Sequence, residues 1–373
     1  MADSSQVQKA GAGASQFQVG VLNVGIDEKR VREICDEKIA YAIQDLTSEA
    51  VVEAKERVTD LVTKMLAKIQ DRKVDMSAFA DPKFQREVVK AQSSAASSDR
   101  KSDIELLSEL LVSRMNGNLK RKTHTGISRA MEVVPELDDD ELLALTVVYA
   151  YSSFQPADMA GYSLSGGLTL LNHLYESFNV TALPKGESWM ENLNMLDAIV
   201  LSPLGRFLKV FEYLEKKLDG YICVGIEQGS PDFLKAEQIL RSANLDVGLL
   251  EPHEWLNGYV RLPLVRQCEC ADLFLLKRIP SKMESVDSVR LRPTEAQVQA
   301  LKDVLSLYSK DPQLLKLVKK TFEVEWAKFP ALVAMQKWID GLHKSFEITK
   351  VGKALAYVNA KRCAPGLPPL RLE

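Results

Sequence analysis

The chain lacks the short motifs by which catalytic and cofactor sites are commonly recognised. It has no P-loop, no His-Glu-x-x-His pair, no Cys-x-x-Cys pair and no dinucleotide-binding glycine pattern. Residues 161–167 come nearest to a nucleophile elbow, but Ser165 stands where that motif needs its second glycine. The sequence therefore predicts a protein that is not an enzyme and that holds neither a cofactor nor a metal.

Cysteines are few, and their spacing shows no paired framework. The five are Cys35, Cys223, Cys268, Cys270 and Cys363. Cys268 and Cys270 are too close for the usual zinc spacing, and no second half of such a site follows. An odd number of cysteines, without the basic and apolar regions of a signal peptide at the start, predicts a reduced, cytoplasmic protein.

Long apolar runs and a charge excess are missing as well. No stretch approaches about 18 consecutive apolar residues, so we expect no membrane span. The net charge is −3, from 48 basic and 51 acidic residues. Such a chain has no global positive field, and we expect no tight binding of nucleic acid at physiological salt. With 46% hydrophobic and 27% charged residues, the composition is that of a globular protein.

The N-terminal segment contains an uncharged stretch of alternating character. No charged residue stands between Ala10 and Ile26. Apolar and polar residues alternate from 16 to 21 with the period of a strand, and glutamines beside β-branched and aromatic residues favour pairing with copies of the same segment. Pairing within the chain and a disordered tail are the alternatives. The residues predicted to form contacts between chains are Gln16, Phe17, Gln18, Val19, Val21, Val31 and Ile34.

A long amphipathic helical pattern follows the strand. Asp27 is a good N-cap, and apolar residues then recur at three- and four-residue spacing as far as Ile69, opposite a charged face. An unbroken helix of this length would span about 60 Å, more than a small domain covers, so it would need a partner. Two alternatives stay open: Thr47 begins a second helix, and the helical stretch packs on its own body.

The sequence divides at a Ser/Ala-rich stretch that has almost no large apolar side chain. It predicts a linker at 92–103, between an N-terminal strand and long-helix assembly region (1–91) and a mainly helical body (104–373). Prolines and short apolar runs within the body predict an irregular α+β insert around 220–290, with its best strand at 221–226. The predicted fold class is therefore mostly α with a minor β component.

Two basic clusters suggest a second function. Lys120, Arg121 and Lys122 form either a solvated turn or a contact for an anion such as phosphate. The last helical pattern, capped by Thr349, combines small residues with four basic ones. This pattern is typical of a packed closing helix and, alternatively, of a helix that contacts DNA. A nucleic-acid-binding regulator that uses a basic C-terminal helix is therefore the alternative function.

Three parts of the chain carry a resemblance to a family. These are Gly-Ala-Ser-Gln-Phe-Gln-Val-Gly at 13–20 with the helix behind it, residues 104–141, and Ile-Thr-Lys-Val-Gly-Lys-Ala-Leu-Ala-Tyr-Val-Asn at 348–359. Together they resemble a family of uncharacterised bacterial proteins, whose members tend to open with a Gly-Asp-Asn-Ser-Thr-type strand where this chain has Gly-Ala-Gly-Ala-Ser. The family often occurs in mobile or defence-like gene surroundings.

This resemblance implies a role in phage defence, and it implies no catalytic residue. Combined with the self-pairing segment, it predicts a non-enzymatic, self-assembling sensor or scaffold in bacterial anti-phage defence. The expected partners are further copies of the chain, as a homo-oligomer, and a protein of a defence system.

Overall fold

Helices form most of the protein, and strands are short and few. The structure is a computed structural model that describes residues 26–115, 121–154, 164–202, 204–273, 275–280 and 286–367. The fold class is confirmed: the described part is mostly α with a minor β component. The predicted N-terminal strand lies outside the described residues.

The elements are numbered in chain order. The α-helices are α1 (Glu28–Ala42), α2 (Ser48–Arg72), α3 (Pro82–Ser97), α4 (Lys101–Arg114), α5 (Arg121–Val133), α6 (Asp139–Ser153), α7 (Leu164–Ser177), α8 (Ser188–Met195), α9 (Val210–Lys217), α10 (Pro231–Ser242), α11 (Glu295–Ser306), α12 (Pro312–Trp326), α13 (Pro330–Asp340) and α14 (Lys350–Cys363). The strands are β1 (Ile199–Ser202), β2 (Ile226–Glu227), β3 (Glu251–Pro252), β4 (Tyr259–Arg261), β5 (Leu275–Pro280), β6 (Val286–Leu291) and β7 (Ser345–Ile348).

The long helical pattern after Asp27 is divided into two helices. The Asp27 carboxylate accepts a hydrogen bond of 2.8 Å from the amide of Arg30 and so begins α1. Thr47 is the N-cap of α2, which confirms the alternative of a second helix. Both helices pack against α3, and α2 also packs against α4. The apolar face of the pair is therefore covered by the chain's own body.

The linker predicted at 92–103 is wrong except at residues 98–100, because 92–97 belong to α3 and 101–103 to α4. Gln92 and Ala95 of α3 are fully buried. Small side chains let α1 and α2 approach α3 closely, and the Gln92 amide donates a 3.1 Å hydrogen bond to the Cys35 carbonyl oxygen of α1. The small residues of this stretch therefore serve close helix packing.

One hydrophobic core extends from Val31 in α1 to Val358 in α14.

Helix α14 lies at the centre of this core. Its residues from Val351 to Ala360 are buried except for Lys353, and it packs against α4, α5 and α6. Thr349 caps it by accepting a 3.2 Å hydrogen bond from the amide of Gly352. A Cβ at Gly352 would collide with the carbonyl oxygen of Ala198, so glycine is required for this approach.

Three small antiparallel sheets accompany the helices. Strand β1 pairs with β7, β4 lies between β2 and β3, and β5 pairs with β6.

The strand predicted at 221–226 is wrong apart from Ile226. Residues 221–223 form a turn and a bend, because the amides of Tyr221 and Ile222 bond to the Leu218 carbonyl oxygen at 2.8 Å each. No helix in the described ranges is both long and apolar enough to cross a membrane.

Candidate functional site

The residues predicted to join copies of the chain fall into two groups. Gln16, Phe17, Gln18, Val19 and Val21 lie outside the described residues. Val31 and Ile34 lie on α1 with exposed fractions of only 0% and 3%, inside the chain's own core. The assignment of these two side chains to an interface between chains is therefore wrong, because α2 and α3 already cover the face of α1 that carries them.

The basic cluster at 120–122 is placed only in part. Lys120 lies outside the described residues, Arg121 is exposed at the first position of α5, and Lys122 follows it in that helix. The first turn of α5 has no acidic residue, and Arg121 lies at the positive end of that helix dipole. An anion beside Arg121 would relieve the repulsion between this cation and the dipole, and the anion contact stays a prediction.

The basic residues near the end of α14 bind neighbouring side chains, although Arg362 itself is exposed. The Lys361 ammonium lies 3.1 Å from the Glu109 carboxylate, and the Arg362 guanidinium donates two hydrogen bonds to the Asn359 amide oxygen, at 3.0 and 2.8 Å. The helix is a packed closing helix, as the sequence favoured. Most other residues of the helix are buried, which limits the basic surface that it offers to DNA.

A ladder of charges joins α2 to α4. Lys64, Lys68 and Arg72 recur every four residues on α2 and face Glu105 and Glu109 on α4. Lys64 and Lys68 lie 3.1 and 2.8 Å from the Glu105 carboxylate. Arg72 holds both oxygens of Glu109, at 2.5 and 2.8 Å. The four-residue spacing on both helices is visible in the sequence, yet this ladder was not predicted.

Glu109 is the most buried member of the ladder. Its side chain is 5% exposed and contacts Arg72 of α2 and Lys361 of α14. Burial by itself would raise the pKa of Glu109, but the two cations outweigh it and hold the pKa below its ordinary value. Glu109 therefore stays ionised and connects three helices, which is a structural role.

His253 is also structural. It is 6% exposed; its Nε2 lies 2.9 Å from the Cys223 carbonyl oxygen, and its Nδ1 accepts hydrogen bonds from the amides of Trp255 and Leu256, at 3.0 and 3.2 Å. This arrangement requires a neutral ring with its proton on Nε2, and burial lowers the pKa of His253 accordingly. Both ring nitrogens are engaged, so the ring is not available for catalysis.

Two concave features were not predicted. An aromatic pocket is bounded by Tyr151, Tyr175, Tyr213 and Trp326, with a cavity of about 20 Å³, which is room for about one water molecule. The hydroxyl of Tyr151 and the indole nitrogen of Trp326 have no hydrogen-bond partner in the part of the chain that the structure describes.

The second feature is a polar cleft of about 470 Å³ at the start of α10. Glu227, Asp232 and Lys310 line it, together with serine hydroxyls. Because both signs of charge are present, the cleft favours no single class of ligand. Within the described ranges, no group of three or more His, Cys, Asp or Glu side chains could hold a metal ion.

Exposed apolar side chains are concentrated in residues 195–208, around β1. The exposed fractions are 71% for Met195, 58% for Val200, 101% for Leu204 and 44% for Leu208. We call these four residues the β1 apolar surface. These side chains lie close together in the sequence, and exposed apolar side chains that adjoin one another are typical of an interaction site, whereas single ones are normal on any surface. The sequence could not reveal this surface, because apolar residues at this density usually lie in a core.

Comparisons with known proteins agree with an uncharacterised family. A family model without a functional description matches residues 25–245, more than half of the chain. The match begins just before α1 and includes the β1 apolar surface. A comparison with the curated proteins and with the solved structures gave no match.

Proposed function

The chain belongs to that uncharacterised family, and we propose that it is a non-enzymatic scaffold that assembles from copies of itself through residues 16–24. The β1 apolar surface is the observation that carries the proposal, since it offers exposed apolar area on a folded body. The uncharged, alternating sequence of residues 16–24 supplies a segment suited to cover such area.

The proposed setting is bacterial anti-phage defence, where the assembly works as a sensor or scaffold with a protein partner. The support for this setting is the resemblance in residues 13–20, 104–141 and 348–359. We place the protein in the cytoplasm, because its five cysteines are all free, as is usual in a reducing compartment. The burial of α14 argues against the alternative of a nucleic-acid-binding regulator.

The experiment is a mass measurement of the full chain in solution, by light scattering during size-exclusion chromatography over a range of concentrations. We expect the wild type to have a multiple of the 41.6 kDa chain mass. Phe17→Asp with Val19→Asp would place charges on the apolar face of the paired segment and reduce the mass to that of one chain. The helical circular dichroism of this double variant should match that of the wild type.

The matched control is Ser4→Asp with Ser5→Asp, which adds the same charge outside the alternating segment. This control should assemble like the wild type. A wild type that has the mass of one chain at every concentration would refute the proposed function. A Phe17/Val19 variant that unfolds would instead assign the segment to the chain's own core and refute it as well.

A further inference from the structure

Residues 204–209, which we call the extended edge, follow β1 after a turn and join no sheet in the described part of the chain. Leu204, Arg206 and Leu208 are exposed, whereas Gly205 and Phe207 are partly buried, which is the alternation of an extended chain. The partly buried side of the extended edge packs against the rest of the protein. The Phe207 ring meets the Phe346 ring of β7 edge-on, with centroids 5.2 Å apart.

The backbone strengthens this attachment at one end. The carbonyl oxygen of Gly205 accepts a 3.0 Å hydrogen bond from the amide of Ser345 in β7. A Cβ at Gly205 would meet the hydroxyls of Ser202 and Ser345, which would have to rotate away to make room for it. The extended edge is therefore held against the β1–β7 sheet.

The middle of the extended edge, residues 206–208, has backbone groups that are not used. The amides and carbonyl oxygens of Arg206, Phe207 and Leu208 make no hydrogen bond to any described residue. Extended backbone with open hydrogen-bonding groups accepts an added strand readily, because main-chain hydrogen bonds supply affinity and alternating side chains supply specificity. The adjoining β1 apolar surface adds area that such a strand would cover.

We propose that the extended edge accepts residues 16–24 of a second copy of the chain as an added strand. This inference rests on the proposed function and names the surface on which the assembling segment lies. The segment alternates with the period that strand pairing needs, in Phe17, Val19 and Val21. The segment itself carries no charge, so it brings no ion to Leu204 and Leu208, and Arg206 between them can keep its guanidinium in water.

This geometry also defines the type of assembly. The donor segment and the acceptor edge are different parts of the chain, so the contact is heterologous. Each copy has one donor and one acceptor. Such copies form a reciprocal pair, a closed ring or an open filament, depending on the rotation between neighbours.

The test uses the full chain with Leu204→Asp and Leu208→Asp, the acceptor variant. Both side chains are exposed, so their substitution should leave the fold unchanged. Asp at both positions would weaken assembly at least tenfold, measured as the concentration at which half of the chains are assembled. The control is Leu234→Asp with Leu317→Asp, which changes two exposed leucines elsewhere (60% and 49% exposed) and should assemble like the wild type.

A mixing experiment then identifies donor and acceptor. The Phe17/Val19 variant keeps an intact extended edge, and the acceptor variant keeps an intact segment. Each should be a single chain alone, and an equimolar mixture should contain a species of two chains. Two copies of one variant cannot form this contact.

The outcomes separate the two proposals. A wild type that assembles, together with an acceptor variant that assembles equally well, refutes the extended edge as the acceptor and leaves the proposed function intact. A mixture that contains only single chains refutes the pairing of this segment with this edge. A wild type of one-chain mass refutes both proposals.

Discussion

Replacing Glu109 by Gln should destabilise the protein substantially, because the substitution keeps the shape of the side chain and removes its charge. The Glu109 carboxylate is 5% exposed and is held by Arg72 through two hydrogen bonds and by Lys361 at 3.1 Å. Removing one member of a buried ion pair costs about 3–5 kcal/mol. Arg72 and Lys361 keep side-chain exposures of 30% and 18%, so water compensates part of this loss. We therefore expect a loss of about 2–3 kcal/mol in the free energy of unfolding.

The control is Glu105→Gln on the same face of α4. Glu105 accepts from Lys64 and Lys68 at similar distances, but its side chain is 36% exposed. Exposed ion pairs contribute about 0–1 kcal/mol, so this substitution should cost less than about 1 kcal/mol. Urea denaturation, followed by circular dichroism at neutral pH, gives both values.

The pH dependence gives an independent check. The folded-state pKa of Glu109 lies below its ordinary value. Its contribution to stability is therefore complete above the pKa of an unfolded Glu, about 4.3, and is lost as the pH falls through the lower folded-state pKa. The difference between wild type and Glu109→Gln should shrink as the pH falls below about 4. Equal differences at pH 7 and pH 3, or a cost like that of Glu105→Gln, would refute this account.

Two further outcomes test the packing and the cysteines. Gly352→Ala should lower the free energy of unfolding by about 1–3 kcal/mol, because the new Cβ would collide with the Ala198 carbonyl oxygen. The control is Gly366→Ala, which places its Cβ in open space and should have little effect. Thermal denaturation measures both. In the native protein a thiol-specific reagent should modify the exposed Cys268 first and Cys35 only after unfolding, since burial raises the pKa of Cys35 to about 12. Modification of both at one rate would contradict the burial of α1.

The long helices could be predicted, because an amphipathic helix repeats its apolar residues with the helical period. In α2 the apolar side chains from Ala54 to Ile69 recur with the helical period, and the same side chains are buried. Val31 and Ile34 are buried within the chain, although the sequence predicted them as contacts between chains, since periodicity identifies an apolar face and does not identify what covers it. The linker prediction at the Ser/Ala-rich stretch is wrong because small side chains are common both in flexible linkers and in close contacts between helices.

Strands and surfaces were harder to predict. Strands β1 and β7 have four residues each and pair with each other although most of the second half of the chain separates them. No local sequence pattern therefore predicts them. The apolar run at 221–226 is buried as a strand would be, but Gly225 has a φ of +77°, which lies outside the range of a strand. The exposure of Leu204 depends on how distant elements fold around it. Of the candidate site, the sequence therefore predicted the assembling segment and not the surface proposed to accept it.

The central position of α14 has a consequence for protein synthesis. Its partners α4, α5 and α6 end at Ser153, and α14 ends at Cys363. At typical elongation rates a ribosome needs roughly 10–40 s to make the chain between these points. During that interval the groove that α14 fills stays open on every nascent chain. Completion of the helical core thus waits until α14 has been made, and neighbouring ribosomes on one message carry several copies of that open groove at once.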